Sequence, residues 1–237
     1  ISSLAASDET PFLGDLIKSA AKMLGAKKVD GFLTRLGELT PAQIGELRAS
    51  YWTAAAQRLT GVDLKQKRLV DKMPLNIFSL PMARRIFPNS KVIMALRDPR
   101  DCVLSCFMQM FEPNPSMIHL ATPETAAAFY AKVLDCWFGT REHLGLAWIE
   151  SRYEDLTADP ESAARRLIEF IGLPWDPAVL DFQQRASEKV LSTPSYRAVS
   201  EPISRKAVAR WKRYEGKLAP VLPTLDPYVR RLGYEPA

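Results

Sequence analysis

Residues 91–111 read KVIMALRDPRDCVLSCFMQMF. Six mostly apolar residues run into Arg97, an Asp-Pro step and a second Arg-Asp pair, then into a stretch of helical spacing that carries Ser105. The first part has the length and composition of a buried strand. The last reads as a helix from about Pro99 to Phe111. The polar residues fall on the joint between them, and in α/β proteins such joints face the crevice where ligands bind. The free N–H groups of the helix start, its dipole and the Arg97 guanidinium all favour an anion there. Arginine offers bidentate geometry to a phosphate, and Ser105 adds a hydroxyl from the second turn. A plainer reading makes Asp98 an N-cap, Asp101 a first-turn acid and Arg97 a surface ion-pair partner. It suits the two acids better than an arginine at the end of an apolar strand.

The flanking segments repeat the alternation. Residues 12–24 carry apolar side chains at helical spacing, and TPAQIGELRASYWTAAAQRL predicts a firm helix with Thr40 as N-cap, Pro41 at the first position and Gln43 closing a capping box. KRLVDKMP predicts a short strand ending at Lys72, and NIFSLPMARRIF a helix started or kinked at Pro81. Beyond the joint, residues 123–146 predict a long amphipathic helix and AWIESRY a third strand. Asp159-Pro160 opens another helix, ended by Gly172, and a last one follows SRKAVARWKRY. Strands alternating with helices predict one α/β domain over residues 1–237, a parallel sheet with helices on both faces.

The 237 residues are 47% hydrophobic and 25% charged, an ordinary globular mix. The net charge of +5 suits an anionic ligand but is too small to argue for nucleic acid. Between Arg185 and Lys217, nine Lys or Arg face three Glu, a net of +6. A solvated helix face accounts for some of these, a bound anion for others. Three cysteines imply no disulfide framework, and Cys102 and Cys106 read as small core residues with no further ligand at metal spacing. No apolar run reaches membrane-spanning length and no secretory leader is present, so a soluble, cytoplasmic protein is expected. The eleven glycines include no pair spaced for a Walker A loop or a dinucleotide fingerprint, which excludes an ordinary NTPase or Rossmann dehydrogenase from these residues.

RDPRDCVLSCFMQMF resembles the 3′-phosphate-binding segment of sulfotransferases that use 3′-phosphoadenosine-5′-phosphosulfate (PAPS). RLVDKMPLN…IFPNSKVI, SRYEDLTADPESAARRLIEFIGLPWDP and PISRKAVARWKRY follow the pattern of the same family in the same order. Together they resemble the bacterial enzymes that often follow tetratricopeptide repeats and are similar to protein-tyrosine sulfotransferases. The resemblance implies a P-loop-like sulfotransferase fold. Arg97 and Ser105 would hold the 3′-phosphate, Tyr153 would lie at the adenosine side, and Arg205, Lys206 and Arg210 would fold over the same nucleotide. Lys72 would contact the transferring group and Glu9 would act as general base. The product would be adenosine 3′,5′-bisphosphate, the acceptor a hydroxyl, and no metal is implied. Tyr153 as an edge tyrosine, Lys72 as a solvated strand end and Glu9 as a solvated terminal acid are the bland alternatives. His119, in a loop, is the next candidate base.

The pattern departs from the family at one place. A loop like PRSGTT, which cradles the 5′-phosphosulfate after the first strand of these enzymes, does not occur in these residues. ISSLAAS, opening on Ile1, is expected to be the tail of the helix after that loop. The chain is thus expected to be N-terminally incomplete, lacking the first strand and the loop, and to be inactive in isolation. The alternative is a non-catalytic nucleotide-binding or protein-interaction module of the same fold. The acceptor (protein, glycan, lipid or small molecule) would lie against loops such as 112–122 and 186–204.

Overall fold

The computed structural model describes residues 2–7, 9–26, 31–109, 111, 114–181 and 205–236. They form two compact units, residues 1–92 with 136–147 and residues 93–135 with 148–237.

In the first unit, β1 (Leu4–Ser7) pairs in parallel with β2 (Arg68–Asp71), Leu4 opposite Arg68 and Ser7 opposite Asp71. The opening residues are therefore a strand and not the tail of a helix. LAAS has little strand propensity of its own; the parallel ladder with β2 decides its conformation. Helix α1 (Phe12–Met23) buries Phe12, Leu13, Leu16 and Ala20, and α2 (Pro41–Arg58) buries Leu47, Tyr51 and Ala55 at four-residue intervals. These stripes meet Met82 and Ile86 of α3 (Leu80–Ile86) in one apolar core. The capping box of α2 forms as its sequence predicts: Gln43 N–H donates to Thr40 Oγ1 at 3.3 Å, and Thr40 N–H to Gln43 Oε1 at 2.9 Å. NIFS makes a 3-10 turn before α3, so Pro81 stands at a helix start.

The second sheet joins β3 (Lys91–Leu96) to β4 (Ala147–Arg152). Leu96 is buried while Ile93 is 42% exposed, so β3 keeps one open face where its apolar run predicts burial. Helix α4 (Pro99–Met108) follows β3 after two residues and stops three short of Phe111, where Gln109 turns extended. Helix α5 (Pro123–Thr140) ends six residues early, ahead of Gly145 at φ 61°. α6 (Tyr153–Ala158), a short helix with no clear periodic signal, follows β4 directly. Then comes α7 (Pro160–Ile171), capped by the Asp159 carboxylate on Ser162 N–H at 3.0 Å and ended by Gly172 at φ 71°. A chain from Arg205 through 3-10 turns to α8 (Glu215–Leu218) and α9 (Leu222–Arg231) completes this unit. Its core gathers Val103 and Leu104 of α4, Ala126 and Ala127 of α5, and Trp211, Leu218, Val221 and Leu225. Among the described residues no helix is long and apolar enough to cross a membrane.

Candidate functional site

Candidate residues stand at the carboxyl ends of strands in each unit. In the first, the parallel register puts Ser7 beside Asp71, so both strands end together. Glu9 and Lys72 follow these ends, and Lys72 Nζ donates to Glu9 Oε1 at 2.7 Å across 63 residues of sequence. Both side chains reach solvent, Lys72 at 52% and Glu9 at 32% exposure. A carboxylate able to take a proton and an ammonium able to meet developing negative charge are thereby adjacent.

Behind Lys72, Asp71 is anchored from two sides. The Tyr51 hydroxyl donates to Asp71 Oδ2 at 2.9 Å, and Asn76 Nδ2 to Asp71 Oδ1 at 3.0 Å. Burial pushes the Asp71 carboxyl above its ordinary value of 3.8, against the opposing pull of those two bonds. The strand end carrying Lys72 is thus tied to α2 and to the turn before α3. In sequence Asp71 carries no signal of its own beyond lying next to Lys72.

In the second unit Arg97 follows β3, with its side chain 19% exposed. Its Nη2 donates to the carbonyl of Ala207 and lies 3.7 Å from Asp101 Oδ2; its guanidinium stands 5.1 Å from the centre of the Tyr153 ring. Its Nε is buried without a hydrogen-bond partner. Donors left unsatisfied in this way are uncommon and costly, and an anion would satisfy this one. The Ser105 hydroxyl, two turns into α4, has no partner among the described residues.

Asp98 is satisfied internally and Asp101 in part, its Oδ2 being buried without a hydrogen-bond partner. Asp98 caps α4 through Arg100 N–H at 2.9 Å and holds the Arg100 guanidinium at 2.9 and 2.7 Å, which supports the N-cap reading and takes up one helix N–H expected to be free. Asp101 Oδ1 accepts from Trp211 N–H at 2.7 Å. Burial raises the Asp101 carboxyl above its ordinary value; that bond and Arg97 oppose the shift. Ala209, two residues before Trp211, is left-handed at φ 54°. Arg100 is buried and Arg97 partly exposed, so Arg97 is the cation of this turn that suits the group the resemblance implies, a nucleotide phosphate.

The basic segment is brought to the same turn in part. Arg205 and Lys206 are exposed on the 3-10 turn whose Ala207 carbonyl accepts from Arg97. Arg210 reaches the other end of α4, its Nη2 3.2 Å from Met108 Sδ. Trp211 is 3% exposed under the Arg100 guanidinium at 3.9 Å, an anchor whose aromatic identity within RWKRY was its one sequence signal. Arg185, Lys189 and Arg197 and the expected acceptor loop 186–204 lie outside the described residues, as do Glu112 and Pro113 of loop 112–122. His119 is exposed and stacks on Phe129 at 5.0 Å. Among the described residues no three His, Cys, Asp or Glu side chains gather as a metal site.

The sequence pattern described as "Sulfotransferase family" matches residues 32–177. That span includes Lys72, Arg97, Ser105 and Tyr153 and excludes Glu9 and the basic tail. A protein of Aquifex aeolicus, described as uncharacterized, is 30% identical over 200 residues, 81% of this chain and 26% of its own length. Protein-tyrosine sulfotransferase A of Caenorhabditis elegans is 27% identical over 179 residues, 71% of this chain and 45% of its own. The chain thus spans about a quarter of the first of these relatives and just under half of the second. In three dimensions it resembles a sulfotransferase domain from the curacin biosynthetic pathway, with a TM-score of 0.60 and 18% identity over all of this chain and 91% of that one. That likeness establishes the α/β fold.

Proposed function

The chain belongs to the sulfotransferase family, and from that premise we propose that it serves sulfuryl transfer from PAPS to a hydroxyl acceptor. The observation that carries the reading is the Glu9–Lys72 pair, an acid and a cation brought to 2.7 Å at the ends of two parallel strands. In-line transfer needs a base for the acceptor proton and positive charge near the departing phosphate oxygen. PAPS supplies the sulfuryl group and that leaving oxygen. Glu9 takes the proton from the acceptor hydroxyl. Lys72 meets the charge that develops as the sulfur–oxygen bond breaks, and Asp71 keeps the strand end that bears it in place. Arg97 binds the 3′-phosphate through its unsatisfied Nε, Ser105 adds a hydroxyl, and Tyr153 stands on the adenosine side. Arg205 and Lys206, exposed beside Ala207, and Arg210 add positive charge over the nucleotide. No metal takes part.

The names of the eukaryotic relatives favour a protein tyrosine as acceptor over a glycan, a lipid or a small phenol. The three cysteines, all free, fit a reducing, cytoplasmic setting. The resemblance to bacterial enzymes that follow tetratricopeptide repeats makes such repeats part of the proposal. The test is transfer of labelled sulfate from PAPS to a tyrosine peptide, in a form of the protein that carries a 5′-phosphosulfate loop. Transfer abolished by Glu9→Gln is the expected result. Nucleotide binding without transfer to peptide, glycan or phenol would support the non-catalytic module instead.

A further inference from the structure

A fixed backbone at its turn lowers the cost of aiming Arg97 at a phosphate, and one carboxylate distant in sequence bonds that backbone. The N–H of Asp98, part of the peptide unit that follows Arg97, donates to Glu154 Oε1 at 3.0 Å. The other oxygen of Glu154 accepts from the Tyr234 hydroxyl at 2.8 Å. Tyr234 belongs to a segment, Leu232–Glu235, held at three further points. The Arg152 guanidinium donates to the carbonyl of Leu232 and stands 5.1 Å from the Tyr234 ring, and Arg100 Nη2 donates to the Glu235 carbonyl at 2.8 Å. Arg100 is the residue that also grips Asp98. Burial, and then the bond to Glu154, push the Tyr234 hydroxyl well above the ordinary phenol range, so it remains a donor. The start of α6 thus supplies two consecutive side chains to one turn: the Tyr153 ring beside the guanidinium and the Glu154 carboxylate on the backbone.

A carboxylate beside a phosphate site would by itself repel the ligand. Glu154 accepts from Asp98 N–H with one oxygen and from the Tyr234 hydroxyl with the other, which moderates its charge and gives it a geometric task. We propose that Glu154 and Tyr234 are positioning residues of the nucleotide turn, the segment Leu232–Glu235 acting as a strap that sets the peptide plane behind Arg97. The proposal rests on the reading of Arg97 as a phosphate ligand.

Two measurements on the 237-residue protein test it: amide hydrogen exchange across residues 96–101, and calorimetric titration with adenosine 3′,5′-bisphosphate. Tyr234→Phe is expected to speed exchange in that segment and to weaken binding roughly 3- to 10-fold, less than loss of a direct contact to a charged group. Tyr228→Phe is the control. It loses a hydroxyl bond of equal length, 2.8 Å to Asp135 Oδ1, and is expected to change neither readout. Glu154→Gln keeps an oxygen for Asp98 N–H and should stay near wild type, while Glu154→Ala should behave like Tyr234→Phe or worse. Unchanged exchange in Tyr234→Phe overturns the strap, and faster exchange with unchanged affinity overturns its role in the site. Faster exchange in Tyr234→Phe together with no nucleotide binding by wild type overturns the phosphate reading, and the positioning role falls with it.

Discussion

Replacing Arg97 with alanine removes two things that a second substitution can separate. The guanidinium is the candidate ligand of the 3′-phosphate, and it is also the cation beside Asp101, whose side chain is fully buried at 3.7 Å. A hydrogen bond to a charged group contributes about 1.5–3 kcal/mol, so Arg97→Ala should weaken binding of adenosine 3′,5′-bisphosphate by roughly 10- to 150-fold. Asp101 meanwhile keeps the N–H of Trp211 but loses its cation. Leaving a buried acceptor short of a partner costs about 1–3 kcal/mol of stability. Asp101→Asn in the same chain removes the stranded charge, so the double variant should regain much of that stability and none of the affinity. Calorimetric titration reads the first quantity and chemical denaturation the second. Wild-type affinity in Arg97→Ala would refute the placement of the phosphate. Affinity that returns together with stability in the double variant would show that the loss came from misfolding of the turn.

In active protein, Lys72→Ala should lower turnover far more than nucleotide affinity, because a cation near the leaving oxygen matters most as charge develops; steady-state kinetics beside titration reads the split. Glu9→Gln should lose about 10²- to 10⁴-fold in turnover while its melting changes little, since an ion pair this exposed contributes roughly 0–1 kcal/mol; full activity would move the base to His119. Asp71→Asn tests the buried carboxyl behind Lys72. A carboxyl whose folded pKa lies above its unfolded value favours the fold while protonated, below about 3.8, and loses that contribution as pH rises through the folded value. The stability advantage of wild type over Asp71→Asn should therefore be largest in acid and shrink as pH climbs through that window, measured by denaturant titration across the acidic range.

Much of this fold was legible where local signals agree with tertiary packing. The Thr40–Gln43 capping box, Pro41, the Asp159-Pro160 start and the Gly172 stop each bring their own hydrogen bond or backbone preference, so the ends of α2 and α7 follow from a few residues. The strand at Leu4–Ser7 was not legible, because its conformation comes from β2, more than sixty residues away in sequence. The candidate site divides in the same way. Arg97 stands out as a charge at the end of an apolar strand, and Lys72 and Glu9 through resemblance. Their supports do not: Glu154 meets Asp98 across 56 residues, Tyr234 meets Glu154 across 80, and Asp71 meets Tyr51 across 20. Polar partners brought together by the fold leave no periodic trace in the chain.

Recognition of a 3′-phosphorylated adenosine nucleotide through Arg97 can be read from a paired titration. Adenosine 3′,5′-bisphosphate and adenosine 5′-monophosphate differ only in the 3′-phosphate, so their difference in affinity isolates the group assigned to Arg97 and Ser105. The account predicts that wild type binds the bisphosphate at least about 10-fold more tightly, one charged hydrogen bond at its lower limit, and that Arg97→Ala closes most of the gap. Equal affinity of the two nucleotides for the wild-type chain would contradict it.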